Sequence, residues 1–168
     1  MKENERAKEY SKRYEESIAV SAPINAVFAF ADDHMNFSSH MNKSSPMMGG
    51  GKMETILDEG KGQVVGSHIV MKGNVLGSNL FLDEVITKRT PPYKKEWQTV
   101  GGINLLVIDH YTLGFDIGPD KAGSRFTVYI DYDLPKSVKT YLLGKLFGDM
   151  YAKWCVRQMV RGVVEHFR

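Results

Sequence analysis

The sequence predicts an α+β domain in which a strongly curved antiparallel sheet of about seven strands wraps one long C-terminal helix. Two observations carry this. From Lys52 to Leu134 β-prone runs alternate with short turns marked by Gly or Pro, the pattern of a meander of adjacent antiparallel strands. From Pro135 to Arg168 the chain has no further proline, and apolar residues recur at helical spacing. A helix of that length measures about 50 Å, more than a small domain is wide, so it must lie along something extended.

Taken in order, residues Met1–Glu16 hold ten charged side chains of both signs, with Tyr10 and Tyr14 the only large apolar groups. This segment is expected to be frayed or weakly helical, with Glu9 and Arg13 at i,i+4 spacing. The folded domain is expected over residues 17–168. Ser17–Ser21 reads as a short strand, which Ala22-Pro23 breaks while offering a proline at a helix start. Ile24–Ala31 follows as a short helix closed by Asp32-Asp33, and His34–Met41 as a second short helix or turn. Asn42–Gly51, ending in three glycines, reads as a mobile loop.

Six strands are then expected, at Lys52–Asp58, Gln63–Lys72, Leu76–Arg89, Tyr93–Val100, Leu105–Ile117 and Ser124–Leu134. Several exceed the usual length of about six residues, which implies strong curvature. The apolar face of the C-terminal helix drifts along its length. Leu143, Leu146, Phe147, Met150 and Trp154 share one face, while Val156, Val160, Val163, Val164 and Phe167 share another, rotated by about a quarter turn. Gly144 and Gly148 lower helix propensity in the first half and would let it bend or shift. Either the second half packs on the sheet while the first covers something else, or a core helix simply curves.

Composition narrows the function classes. The chain has 168 residues, 42% of them hydrophobic, with a net charge of +2; this fits a globular domain and is too mild a charge for a nucleic-acid binder. A single cysteine, Cys155, leaves no internal disulfide and no cysteine-based zinc pattern. The five histidines, His34, His40, His68, His110 and His166, lack metal-ligand spacing, so no metal or cofactor is expected. Gly49–Gly51 lacks the setting of a phosphate loop, and no serine sits in a nucleophile elbow. No signal-type stretch and no run of about 18 apolar residues occurs, so a cytoplasmic protein without an integral membrane segment is expected.

The order of elements resembles the helix-grip fold of the START/pollen-allergen (SRPBCC) superfamily, nearest its polyketide cyclase/dehydrase and lipid-transport branch. The likeness is carried by SIAVSAPINAVFAFADDHMNFSSHM (Ser17–Met41), with Ala22-Pro23, Val27-Phe28 and Asp32 in it. Gly62, Gly66 and Gly73 add to it, as does DEVITKRTPP (Asp83–Pro92). Where members often carry a tryptophan near the end of the second short helix, this chain has Ser39-His40-Met41. The resemblance implies a hydrophobic cavity between helix and sheet with His40 near its mouth, and no shared catalytic residues.

Alternation along the last two strands suggests which side chains face that cavity. Leu105, Val107, Asp109, Tyr111, Leu113 and Phe115 form the better inward set of one; Phe126, Val128, Ile130 and Tyr132 form that of the other. From the helix, Leu143, Phe147, Met150 and Trp154 complete the expected lining. An inward Asp109 would be a carboxylate raised by desolvation, able to act as general acid or base with Tyr111 or His40. A bulge turning Asp109 outward, or a structural hydrogen bond to a neighbouring strand, is the alternative. Three function classes follow: a carrier of a lipid, quinone, isoprenoid or polyketide-like molecule; a cyclase or dehydratase; and an interaction module with a filled core. The carrier is the expected one, with a hydrophobic small molecule as partner.

Overall fold

In the computed structural model, which describes residues 8–168, seven strands form one antiparallel sheet in the order β1-β7-β6-β5-β4-β3-β2. The elements run β1 (Lys12–Val20), α1 (Ile24–Asp32), α2 (His34–Phe37), 3-10 turns at Ser39–Asn42 and Pro46–Met48, and β2 (Lys52–Leu57). They continue with β3 (His68–Val75), β4 (Ser78–Thr90), β5 (Lys94–Asn104), β6 (Tyr111–Asp120), β7 (Gly123–Tyr132) and α3 (Val138–His166). This is the helix-grip architecture: short helices cross from the β1 edge of the sheet to the β2 edge, and α3 lies over the curved face.

The charged N-terminal segment departs from expectation. Strand β1 begins at Lys12, and residues 12–16 pair with Glu16↔Val128 through Lys12↔Tyr132 on β7. Its outward charges are matched across the strand pair, Arg13 forking the Asp131 carboxylate at 2.7 and 3.0 Å, while Tyr14 and Ile18 reach the core. Cross-strand pairing therefore outweighs the helical spacing of Glu9 and Arg13. The expected frayed residues 1–7 lie outside the described residues.

Residues 63–67, expected as strand, form a turn instead. The Asp58 carboxylate accepts from Gly60 N at 3.0 Å and His68 N at 2.7 Å, and Gly62 and Gly66 take positive φ. Such side-chain bonds offer the backbone an alternative to the ladder.

Bulges between Phe81 and Asp83 and between Ile86 and Lys88 bend the long β4–β5 pair. At the closed end of the sheet an aromatic cluster fills the interior, with Phe37 against Trp97, Phe115 and Phe126 at centroid separations of 5.4–6.0 Å. Beside it the buried Asp32 carboxylate ends α1, bridged by Arg89 at 2.8 and 3.0 Å and by the fully buried Lys95 at 3.2 Å. Burial alone would raise this carboxyl, but the two cations hold it below the ordinary range.

Candidate functional site

The two halves of α3 do different work. Ala152, Val156, Val160 and Val163 are buried, and the C-terminal half docks on the sheet. In the N-terminal half Leu143, Phe147 and Met150 are exposed on one flank, while Gly144 and Gly148 are buried on another. These glycines serve close approach, a role that helix spacing alone did not suggest. A Cβ on Gly148 would meet Leu134 Cδ2 at 2.5 Å and the Val107 carbonyl oxygen at 2.7 Å; one on Gly144 would meet Pro135 Cδ at 2.5 Å.

The segment lying against those glycines, Leu105–Ile108, is no part of a strand, although strand was expected there. It turns in beneath α3. Asp109 N–H donates to the Asp133 carbonyl at 2.9 Å, and Asp133 N–H to the His110 carbonyl at 3.1 Å, so β6 starts only at Tyr111.

The folded-in segment walls a cavity of about 340 Å³. Its other walls are Pro46–Gly49, Val75, Leu76 and Leu80 from the β3–β4 end, and Leu143, Phe147, Met150 and Tyr151 of α3. Nearly all the lining side chains are apolar, and several are methionine or leucine, which adapt to varied shapes. Deeper in, a void of about 30 Å³ lies between His40, Glu84, Trp97, Tyr111, Cys155 and neighbours. Leu105, Ile108 and Tyr151 border both spaces and form the partition between them.

Glu84 is the residue that sequence reasoning missed. On β4 the buried positions are Leu80, Leu82, Glu84 and Ile86, so a carboxyl stands at an inward place in an apolar row. Extending the alternation applied to β6 and β7 back to Leu76–Arg89 would have found it. Register explains its partner. Glu84 lies opposite Thr99 on β5, and the small Thr99 lets Tyr111, on the next strand, reach across and donate its hydroxyl hydrogen to Glu84 Oε1. The other oxygen, Oε2, has no hydrogen-bond partner, nor do His40 Nε2 and His34 Nδ1.

Burial sets the ionisation of the group. It pushes the Glu84 carboxyl up to about 7, with the Tyr111 hydroxyl opposing. It pushes His34 down to about 3 and His40 down to about 4, so both rings are neutral at pH 7. It also raises Cys155 to about 12, leaving an inert thiol. The pocket thus offers a carboxyl that can hold or release a proton near neutrality, a phenol and neutral imidazoles.

The expected lining divides. Leu105, Val107, Leu143, Phe147 and Met150 border the larger cavity, and Leu105, Tyr111, Leu113 and Ile130 the inner void. Asp109 borders neither; its Oδ1 accepts the His110 backbone N–H at 2.8 Å, a bond to the next residue and not to a neighbouring strand. Phe115, Phe126 and Val128 belong to the filled core, and Tyr132 donates its hydroxyl to Asp149 at 2.7 Å. Trp154 packs edge-on against His40 at 5.3 Å and beside Tyr151 at 5.8 Å, and borders an outer groove. His40, expected near the mouth, is buried in the inner wall. Among the described residues no group of three His, Cys, Asp or Glu side chains is placed to hold a metal.

A sheet gripping a long helix above an apolar cavity marks a helix-grip protein. The chain belongs to the polyketide cyclase/dehydrase and lipid transport family, whose model matches residues 11–168. The fold is similar to that of Zhui aromatase/cyclase from Streptomyces sp. R1128 (11% identity, TM-score 0.67, 92% of each chain covered). It is also similar to TTHA0849 from Thermus thermophilus (17% identity, TM-score 0.61, 91% of this chain and 93% of that one). Major latex-like protein 151 from Panax ginseng shares it too (12% identity, TM-score 0.58, 95% and 99%). No curated protein matches the sequence. Family and fold support hydrophobic-ligand binding or polyketide-cyclase-type chemistry and single out no ligand.

Proposed function

We propose that the protein binds a hydrophobic small molecule bearing an oxygen function, its apolar body in the larger cavity and its oxygen directed at Glu84, Tyr111 and His40. The observation that carries this reading is the cavity of about 340 Å³ with its almost wholly apolar lining. That size lies in the range of small-molecule sites, and a carboxyl beyond the partition supplies the sparse polar contact such sites use for orientation. The ligand class is a lipid, quinone, isoprenoid or polyketide-like molecule. Native mass spectrometry of the purified protein tests it directly: a retained apolar molecule is expected, displaced in Leu105→Trp, which fills the partition. A protein that carries nothing and takes up no apolar dye would overturn the reading and favour an interaction module.

The second reading, a cyclase or dehydratase, is favoured by one feature, the Glu84–Tyr111 pair. A carboxyl titrating near 7 beside a phenol is suited to moving a proton to or from a carbonyl or hydroxyl of the ligand. This role passes to Glu84 from Asp109, which borders neither space. Glu84→Gln separates the two readings once a ligand is in hand. A carrier keeps its affinity within a few-fold, whereas an enzyme binds and loses about 10²–10⁴ in turnover.

A further inference from the structure

The fold leaves apolar side chains in solvent beside the cavity mouth. On α3, Val138, Leu142 and Leu146 follow one another at i,i+4 spacing and are 93%, 62% and 62% exposed. Across the mouth stands Leu76, 80% exposed, which lines the cavity together with Phe147. Leu76 is also strained. Val75 pairs with Ser78, so Leu76 and Gly77 alone make the β3–β4 turn, with φ of 51° and 78°. A two-residue turn with positive φ at both places favours Asn, Asp or Gly at the first; a leucine Cβ is unfavourable there. Leu76 touches the cavity rim, yet most of it stays in solvent at a conformational cost, which points to a contact outside the chain.

The charge around this face has mainly one sign. Residues 136–153 include Lys136, Lys139, Lys145 and Lys153, with Asp149 the only acid. Asp149 is engaged by Lys12 Nζ at 2.9 Å and by the Tyr132 hydroxyl at 2.7 Å. Lysines interleaved with exposed leucines complement a surface that is anionic outside and apolar beneath, since their stems lie along apolar groups while the ammonium reaches anionic headgroups. A second copy of the chain would bring lysines against lysines, which disfavours self-association through this face.

We propose that the first half of α3 and the Leu76 hairpin tip dock on the surface of an anionic lipid bilayer, turning the cavity mouth toward the lipid. Surface docking needs no spanning segment, and no helix among the described residues is long and apolar enough to cross a membrane. The proposal does not require a bound ligand and goes beyond the ligand reading.

Flotation of the full chain with vesicles tests it. Binding is expected to vesicles of phosphatidylcholine mixed with phosphatidylglycerol, weakening as salt is added, and not to phosphatidylcholine alone. Leu142→Ser with Leu146→Ser should weaken binding at least about ten-fold, and Lys139→Glu with Lys145→Glu should remove the preference for anionic vesicles. Leu76→Asn gives a signature that a folding defect cannot mimic: a higher melting temperature, because Asn tolerates positive φ, together with weaker vesicle binding. Absence of flotation with the mixed vesicles at low salt would overturn the proposal. So would a dimer that the Leu142/Leu146 double variant breaks apart in sedimentation without any vesicle binding by the parent. Neither leucine lines the cavity, so apolar-dye uptake by that variant should persist. Loss of dye uptake in the parent would instead sink the ligand reading and leave the docking result standing.

Discussion

At one end of the layer between helix and sheet, Phe37, Trp97, Phe115 and Phe126 pack edge to face and Val156, Val160 and Val163 of α3 are buried. At the other end the same helix passes over a cavity, with Leu143, Phe147 and Met150 left exposed along its rim. Both ends are lined by mostly apolar residues. They differ in what reaches the space beneath the helix. At the filled end large aromatic rings come from the sheet and from α2, whereas at the open end the sheet side is met by the irregular Leu105–Ile108 segment and the β3–β4 end. Buried aromatic area stabilises the fold at the first; unfilled apolar surface is available to a ligand at the second.

Four substitutions sharpen or break that contrast. The largest effect is expected from Phe115→Ala at the filled end, which should cost about 3–5 kcal/mol in denaturant melts, since a fully buried ring leaves a void. A loss below about 1 kcal/mol would mean that this end is as loosely filled as the other.

Glu84→Gln is next and is read against pH. Below about 4.5 the Glu84 carboxyl is protonated whether the chain is folded or not. Between there and about 7 the unfolded chain releases the proton while the fold retains it, so stability falls as pH rises. Glutamine has no such loss, and the variant should gain about 3 kcal/mol on the parent across that window. A constant difference from pH 4 to 8 would place the Glu84 carboxyl in contact with solvent.

Gly148→Ala pits two effects against each other. Helix propensity favours alanine by about 1 kcal/mol, but the added Cβ lands 2.7 Å from the Val107 carbonyl oxygen. The clash should win, with a net cost of about 1–3 kcal/mol and a reshaped cavity. A more stable variant would show that α3 stands off the Leu105–Ile108 segment. The smallest effect is expected from Phe147→Ala at the rim, below about 1 kcal/mol in stability, since the ring is already exposed. Its signature should be weaker uptake of an apolar dye, and a stability loss matching that of Phe115→Ala would erase the distinction between the ends.

Much of the architecture was legible from residues alone. Alternation along Ser124–Leu134 identified the buried Phe126, Val128, Ile130 and Tyr132, and helical spacing the buried Val156, Val160 and Val163 of α3, because periodicity records which side of a packed element meets water. The same rule misled at Leu105–Asp109, where an alternating run is folded in under the helix and makes no strand. Whether such a run pairs depends on its neighbours, and here Gly144 and Gly148, some forty residues away, remove the Cβ atoms that would have kept it out. Glu84 was within reach of alternation as an inward carboxyl. Its partner was not, because the meeting with Tyr111 depends on register across the small Thr99 of the strand between them. The sequence by itself therefore determined the order of the elements and the buried face of β7 and of the second half of α3, since these follow from local spacing. Only the tertiary structure decided which buried face is filled and which encloses space, because volume depends on how side chains from distant segments meet.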